Sequence, residues 1–163
     1  MDTILRTILK EKAELRGNGP APAYYALPPT ASVTQAAQLM VDAGVGCVLV
    51  TDGERLVGVF GERDLLHAHL RLGAALAEAP LAQVMNTRAV TVSPAMTVEQ
   101  ALVHCTDRRV RHLPVIEGGR IVGLVSIGDL VRFVVKDKER TIAHLIDYIH
   151  GPVHAQPGAT ASA

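Results

Sequence analysis

The apolar and polar positions of this chain follow the same order twice. Residues 27–65 align with residues 92–130 without a gap, and 13 of the 39 aligned positions are identical. Elsewhere in the alignment, apolar positions mostly face apolar positions. A match of this length, with every turn in register, indicates an internal repeat.

Each copy predicts the same succession of elements. A short extended piece precedes a helix, and Ser32 with Gln35, or Thr97 with Gln100, has capping-box spacing at the helix start. A short apolar strand, a glycine turn, a second strand and a second helix follow. The pattern predicts a β-α-β-β-α unit of about 50 residues. In the first copy the strands are VGCVLV and LVGVF; in the second they are RHLPVI and IVGLV.

The repeat also predicts the fold class and the domain order. A unit this small cannot bury enough apolar surface alone, whereas two copies can pack their sheets together about a pseudo-twofold axis. We therefore predict an α/β (α+β) protein with an amphipathic helix at each end. The predicted parts are an N-terminal helix and linker (1–21), the first repeat (22–78), the second repeat (79–137), a C-terminal helix (138–151) and a disordered tail (152–163).

Composition narrows the function. Sixteen basic residues balance sixteen acidic ones and aromatic residues make up 3%, which removes the usual basis for binding nucleic acid. No apolar run is long enough to cross a membrane, so no membrane association is expected. Cys47 and Cys105 lack metal or redox spacing and suit the reducing cytoplasm. No nucleophile–base pair and no metal-ligand set is recognisable, so we predict neither an enzyme nor a metal site.

Several motifs together identify a family resemblance. The doubled GxxSxxDL-like ending, the strand RHLPVI and the segment PLAQVMNTRAVTVSP resemble a tandem cystathionine-β-synthase (CBS) domain pair, or Bateman module. The similarity covers about residues 22–137 and is closest in kind to small stand-alone bacterial CBS-domain proteins. The resemblance implies a non-catalytic regulatory or energy-sensing module that binds AMP, ADP, ATP, NAD(H) or S-adenosylmethionine between its repeats. It also implies a disc-like homodimer that acts on an unknown downstream protein and requires no cofactor.

The second repeat fits the ligand-binding pattern that this resemblance implies. Asp129, in the first turn of a helix, can accept hydrogen bonds from both hydroxyls of a ribose. Ser126 and the N–H groups of that turn can bind a phosphate. Pro114 has no N–H and is expected to leave nearby backbone groups free to contact an adenine. The candidate residues are Thr87, Val90, Val110, Arg111, His112, Leu113, Pro114, Ser126, Ile127, Gly128 and Asp129.

The first repeat departs from the pattern. Asp64 and Arg63 are present, but Gly61 stands where the second repeat has serine, and Gly46 with Cys47 replaces the Arg–His pair. We therefore expect one good site around Asp129 and a second site that is weak, altered or empty.

Plainer interpretations stay open. Ser126 and Asp129 also have capping spacing, and the arginines before RHLPVI also suit a solvated helix end. The alternative function is a structural or protein-interaction module with degenerate ligand sites.

Overall fold

The first repeat has the order of elements that its pattern predicts. The computed structural model describes residues 3–15 and 23–150; the predicted linker residues 16–21, the predicted helix stop at 151 and the predicted disordered tail at 152–163 lie outside this part of the chain. Helix α1 (Leu5–Leu15) comes first. The repeat itself consists of β1 (Ala26–Leu27), α2 (Val33–Ala43), β2 (Cys47–Asp52), β3 (Arg55–Gly61) and α3 (Glu62–Leu72).

The second repeat has the same order with a shorter first strand. A 3-10 turn (Gly73–Leu76) and a one-turn helix, α4 (Leu81–Val84), lead into it. Its counterpart of β1 is a single parallel bridge between Val92 and Val115. The remaining elements are α5 (Val98–Asp107), β4 (His112–Glu117), β5 (Arg120–Ser126) and α6 (Ile127–His150).

The two sheets repeat their irregularities as well as their strands. In the first sheet the order is β1-β2-β3, with β1 parallel to β2 and β2 antiparallel to β3. The second sheet pairs β4 with β5 antiparallel. The register shifts between Val50 and Thr51 in one sheet and between Val115 and Ile116 in the other, which are equivalent positions. The internal repeat is therefore structural as well as sequential.

Both predicted capping boxes are confirmed. The Ser32 and Thr97 side chains accept hydrogen bonds from the N–H groups of Gln35 and Gln100, whose side chains reach back to the cap residues. Each box satisfies two N–H groups that the first turn of a helix leaves unpaired. They fix where α2 and α5 begin.

The two repeats pack through their sheets, as predicted. Cys47 and Leu49 of β2 form one buried cluster with Leu124 of β5, so the cluster joins the repeats. A larger core lies within the first repeat, between its sheet and its helices. Its buried members are Ala31, Val33, Ala36, Met40, Val48, Val50, Phe60, Ala79 and Leu81.

Helix α1 packs on the second repeat as α4 packs on the first. The N–H groups of Leu5 and Arg6 donate to the carbonyls of Met96 and Pro94, at 2.9 and 3.0 Å. The N–H groups of Leu81 and Ala82 donate in the same way to Ala31 and Pro29, whose positions are equivalent to Met96 and Pro94. Residues at the start of the chain therefore complete the second repeat, which the sequence pattern did not predict.

The end of the chain forms a separate unit. The chain divides into two compact units, Met1–Leu130 and Val131–Ala163, and most of the second is the later part of α6. The structure has one helix from Ile127 to His150 where the sequence pattern divides the segment at residue 138, because neither glycine nor proline occurs in the helix after Gly128. Its exposed apolar residues recur at helical spacing: Val131, Val135, Ile142, Leu145 and Ile146. Among the described residues, no helix has the length and apolarity to cross a membrane.

Candidate functional site

Two aspartates occupy equivalent positions after the last strand of each repeat. Asp64 lies in the first turn of α3 and Asp129 in the first turn of α6. Each carboxylate accepts a hydrogen bond from the N–H three residues earlier, from Gly61 at 2.9 Å and from Ser126 at 2.8 Å. This contact orients both carboxylates, and each lines a hollow of its own.

The hollow at Asp64, the Asp64 hollow, lies between the two repeats. Its volume is about 580 Å³. The first repeat supplies the segment after β3 together with Gly46 and Cys47, and the second repeat supplies the turn before β4. Among the described residues, Asp64 accepts a hydrogen bond from Gly61 alone. The lining residues include Gly46, Cys47, Gly61, Glu62, Arg63, Asp64, Asn86, Arg108, Arg109, Val110, Arg111 and His112.

Arginines give the Asp64 hollow its charge. Four guanidinium groups line it, against the two carboxylates of Glu62 and Asp64. Arg63 Nη1 donates to the Arg109 carbonyl at 3.0 Å, which links the two repeats across the hollow. The other three arginines are Arg108, Arg109 and Arg111. The excess of positive charge suits an anionic group such as a phosphate.

One of these arginines has a strained backbone. Arg109 has a φ of 52°, and it is the one described residue other than glycine with a positive φ. The equivalent residue of the first repeat is Gly44, with a φ of 62°. Because a side chain disfavours this left-handed conformation, Arg109 costs backbone energy that Gly44 does not. Strain of this kind is often found at functional sites.

The hollow at Asp129, the Asp129 hollow, is the pseudo-symmetric counterpart and is smaller. Its volume is about 210 Å³. Two tyrosines from the segment before β1 and one lysine from α1 contribute to it. Its lining residues include Lys12, Tyr24, Tyr25, Gly46, Cys47, His112, Leu124, Ser126 and Asp129.

The lysine contacts the aspartate directly. Lys12 Nζ donates to Asp129 Oδ2 at 2.7 Å and to the Leu124 carbonyl at 3.0 Å. Asp129 Oδ2 also accepts from the Ser126 N–H and hydroxyl, at 2.8 and 2.9 Å. Burial opposes ionisation of Asp129, but the bonds from Lys12 and Ser126 outweigh it and lower the pKa of the carboxyl. Asp129 is therefore a carboxylate that already has a charged partner.

Three residues line both hollows: Gly46, Cys47 and His112. Cys47 at the start of β2 and His112 at the start of β4 occupy equivalent positions, so they lie beside the pseudo-twofold axis. Burial, with a smaller effect from the Asp64 charge, raises the pKa of the Cys47 thiol to about 12. Burial also lowers the pKa of His112, against the attraction of nearby acids. Both groups are therefore neutral at physiological pH, which suits residues that line the hollows and do not react.

The structure divides the predicted site residues between the two hollows. Val110 and Arg111, which were expected beside Asp129, line the Asp64 hollow instead. The predicted residues that line a hollow are Gly46, Cys47, Gly61, Arg63, Asp64, Val110, Arg111, His112, Ser126 and Asp129. Those not found in either lining are Thr87, Val90, Leu113, Pro114, Ile127 and Gly128, and of these Leu113 is fully buried in β4.

Backbone groups that were expected to be unpaired are engaged. The Ile127 N–H donates to the Arg111 carbonyl at 2.9 Å, and the Asp129 N–H donates to the Ser126 hydroxyl at 3.1 Å. The Pro114 carbonyl accepts from the Val92 N–H at 3.0 Å. A phosphate or an adenine at the Asp129 hollow would have to replace these contacts rather than fill vacant ones.

Sequence reasoning missed Lys12, Tyr24, Tyr25 and Asn86. Asn86 pairs with Val59 of β3 and precedes the predicted Thr87 by one residue. Tyr24 and Tyr25 occupy the positions equivalent to Ala89 and Val90, so the same repeat offset could have identified them. Lys12 lies outside the aligned repeat, and no sequence signal placed it beside Asp129.

Comparison with known proteins also finds two copies of one domain. A family model for the CBS domain matches residues 20–71 and again residues 81–136. The mitochondrial CBS domain-containing protein CBSX3 of Arabidopsis thaliana is 35% identical over 125 residues, which is 74% of this chain. The chain spans 61% of that plant protein's length.

Solved structures show the same fold. A CBS-domain containing protein from Agrobacterium tumefaciens superposes with a TM-score of 0.71 at 32% identity, covering 80% of this chain and 98% of its own. A CBS domain protein from Pyrobaculum aerophilum, solved in complex with AMP, gives a TM-score of 0.60 at 29% identity. That match covers 67% of this chain and 84% of the other.

Proposed function

This chain belongs to the CBS domain family, and from that premise we propose that it is a non-catalytic regulatory module that binds an adenosyl ligand between its two repeats. The ligand class comprises AMP, ADP, ATP, NAD(H) and S-adenosylmethionine. Binding would favour one relative placement of the repeats, and a downstream protein would respond to that placement. The AMP complex of the Pyrobaculum relative supports the ligand class.

The observation that carries the proposal is the equivalent placement of Asp64 and Asp129. Each carboxylate lines a hollow and is oriented by a backbone N–H from the residue three positions earlier. A carboxylate held in this way can accept hydrogen bonds from both hydroxyls of a ribose. In the Asp64 hollow, arginines stand within the same lining and can pair with the phosphates of that nucleotide.

A thermal-shift panel with AMP, ADP, ATP, NADH and S-adenosylmethionine tests the proposal. A ligand present at 100 times its Kd should add about 2.7 kcal/mol to the free energy of unfolding. Asp64→Ala should reduce that gain, whereas Asp52→Ala, which removes an exposed carboxylate at the end of β2, should preserve it. If no ligand shifts the transition of the unmodified chain, the proposed function is wrong.

A structural or interaction module without a ligand is the second candidate. Two observations favour it: Gly61 lacks the hydroxyl that Ser126 has, and Lys12 is bonded to Asp129. A silent panel would favour this candidate over the first.

We further propose that the module is a homodimer of the reducing cytoplasm. The exposed apolar residues of α6 suit a surface for a second copy. The apolar residues of α1 are less suited, because Leu5 and Ile8 are already buried within the chain. Cys47 and Cys105 are both reduced and buried. Sedimentation at micromolar concentration should give twice the chain mass, and a monomer there would contradict the dimer.

A further inference from the structure

The two hollows are built from equivalent positions but are unequal in volume. The Asp64 hollow is about 580 Å³ and the Asp129 hollow about 210 Å³. The two hollows also differ at the aspartate, because a side chain from outside the aligned repeat contacts Asp129. Lys12 of α1 lines the smaller hollow and contacts its carboxylate.

Contacts along its length hold α1 in this position. The Val98 N–H donates to the Thr3 carbonyl at 2.9 Å, one of three backbone bonds that described residues form between residues 3–15 and the second repeat. Leu5 has no exposed area. Leu9 packs on Gly123, where an added Cβ would lie 2.6 Å from Leu9 Cδ2. The helix therefore lies directly on β5, and its next turn carries Lys12 to the hollow.

Lys12 occupies one of the two Asp129 oxygens that a ribose would use as hydrogen-bond acceptors. Its Nζ bonds to Asp129 Oδ2, the same oxygen that the Ser126 N–H and hydroxyl contact. The Lys12 and Asp129 side chains are only 22% and 24% exposed, so the pair is shielded from water and salt. A pair of sugar hydroxyls that used one carboxylate oxygen each would have to displace the ammonium group from Oδ2.

We infer that α1 is a built-in stopper of the Asp129 hollow, so that an adenosyl ligand fills the Asp64 hollow and reaches Asp129 only after Lys12 leaves. The inference rests on the proposed function. It makes Lys12 the residue that sets how many ligands the chain binds, and it reverses the site order that the sequence motifs predicted.

Calorimetric titration of the full chain with AMP and with ATP tests the stopper. The unmodified chain should bind one nucleotide, and Asp64→Ala should abolish that binding while Asp129→Ala leaves it. Lys12→Met keeps the length of the side chain and removes its charge. It should add a second site at the Asp129 hollow, with a nucleotide affinity about tenfold or more above that of the same hollow in the unmodified chain. A further Asp129→Ala should remove this second site.

Lys10→Met is the matched control, because Lys10 is exposed on the same helix and lies outside the hollow linings. It should leave the count at one. Two sites in the unmodified chain that Lys12→Met does not change would overturn the stopper and leave the proposed function intact. A single site that depends on Asp129 would do the same. If neither the unmodified chain nor Lys12→Met binds either nucleotide, the stopper is wrong, and the thermal-shift panel with all five ligands decides on the proposed function.

Discussion

The docking of α1 on the second repeat can be tested by truncating its anchor. Leu5 is fully buried, and its N–H donates to the Met96 carbonyl at 2.9 Å. Replacing a fully buried leucine with alanine costs the lost transfer free energy and leaves a cavity, which together amount to about 3 kcal/mol. Leu5→Ala should therefore lower the free energy of unfolding by about 3 kcal/mol.

Urea denaturation followed by circular dichroism measures this loss. Leu81→Ala is the internal comparison, since Leu81 is also fully buried and holds the equivalent position in the first repeat, with its N–H bonded to Ala31 at 2.8 Å. Lys10→Ala, on the exposed side of α1, should change the free energy by less than about 0.5 kcal/mol. If Leu5→Ala cost no more than Lys10→Ala, then α1 would not be packed on the second repeat in solution.

The same substitution also affects the site. Because Lys12 reaches Asp129 only while α1 is docked, Leu5→Ala should raise nucleotide affinity at the Asp129 hollow, as Lys12→Met does. If Leu5→Ala lost stability but still bound one nucleotide, at the Asp64 hollow, then the packing of α1 would not control access to Asp129.

Three further predictions follow from individual residues. Arg109→Gly removes the cost of a positive φ but adds backbone entropy to the unfolded chain, so it should stabilise the fold by about 0.5 kcal/mol in urea denaturation. It should also weaken nucleotide binding, and a loss of stability would contradict the strain at Arg109. The pKa of Asp129 is lower in the folded chain than its ordinary value of 3.8, so its contribution to stability is present above that pH and is lost as the pH falls through the lower folded pKa. The stability difference between the unmodified chain and Lys12→Met should therefore shrink on acidification below about pH 4, and a difference that stayed constant would count against the ion pair. Cys47, with its pKa raised to about 12, should react with a disulfide reagent at pH 8 far more slowly than the same thiol does in urea, and equal rates would show that the residue is accessible.

The repeat made most of the fold predictable. Thirteen identities at a constant offset fixed the strand pairs, the turns and both capping boxes, because each of these depends on residues close together in the chain. The placement of α1 was not predictable in this way. It depends on Leu5 bonding to Met96 and Leu9 packing on Gly123 of β5, both distant in the chain, and apolar residues at helical spacing do not specify which surface covers them.

The lining of the two hollows was predictable in part from the repeat. Asp64 and Asp129, and the residues beside them, lie where the equivalent positions put them. Motif quality favoured Asp129, since Ser126 and His112 fit the family pattern better than Gly61 and Cys47. The structure adds a lysine that no motif contains. A ranking of the two sites from motifs alone could not include that contact.

The shared wall has a consequence for how a duplicated protein can diverge. Because Cys47 and His112 border both hollows, a substitution at either position alters two sites together. Helix α1 lies outside the repeats and has no such effect, since Lys12 contacts Asp129 and is not part of the Asp64 lining. A flanking helix can therefore change one of two related sites and leave the other as it is.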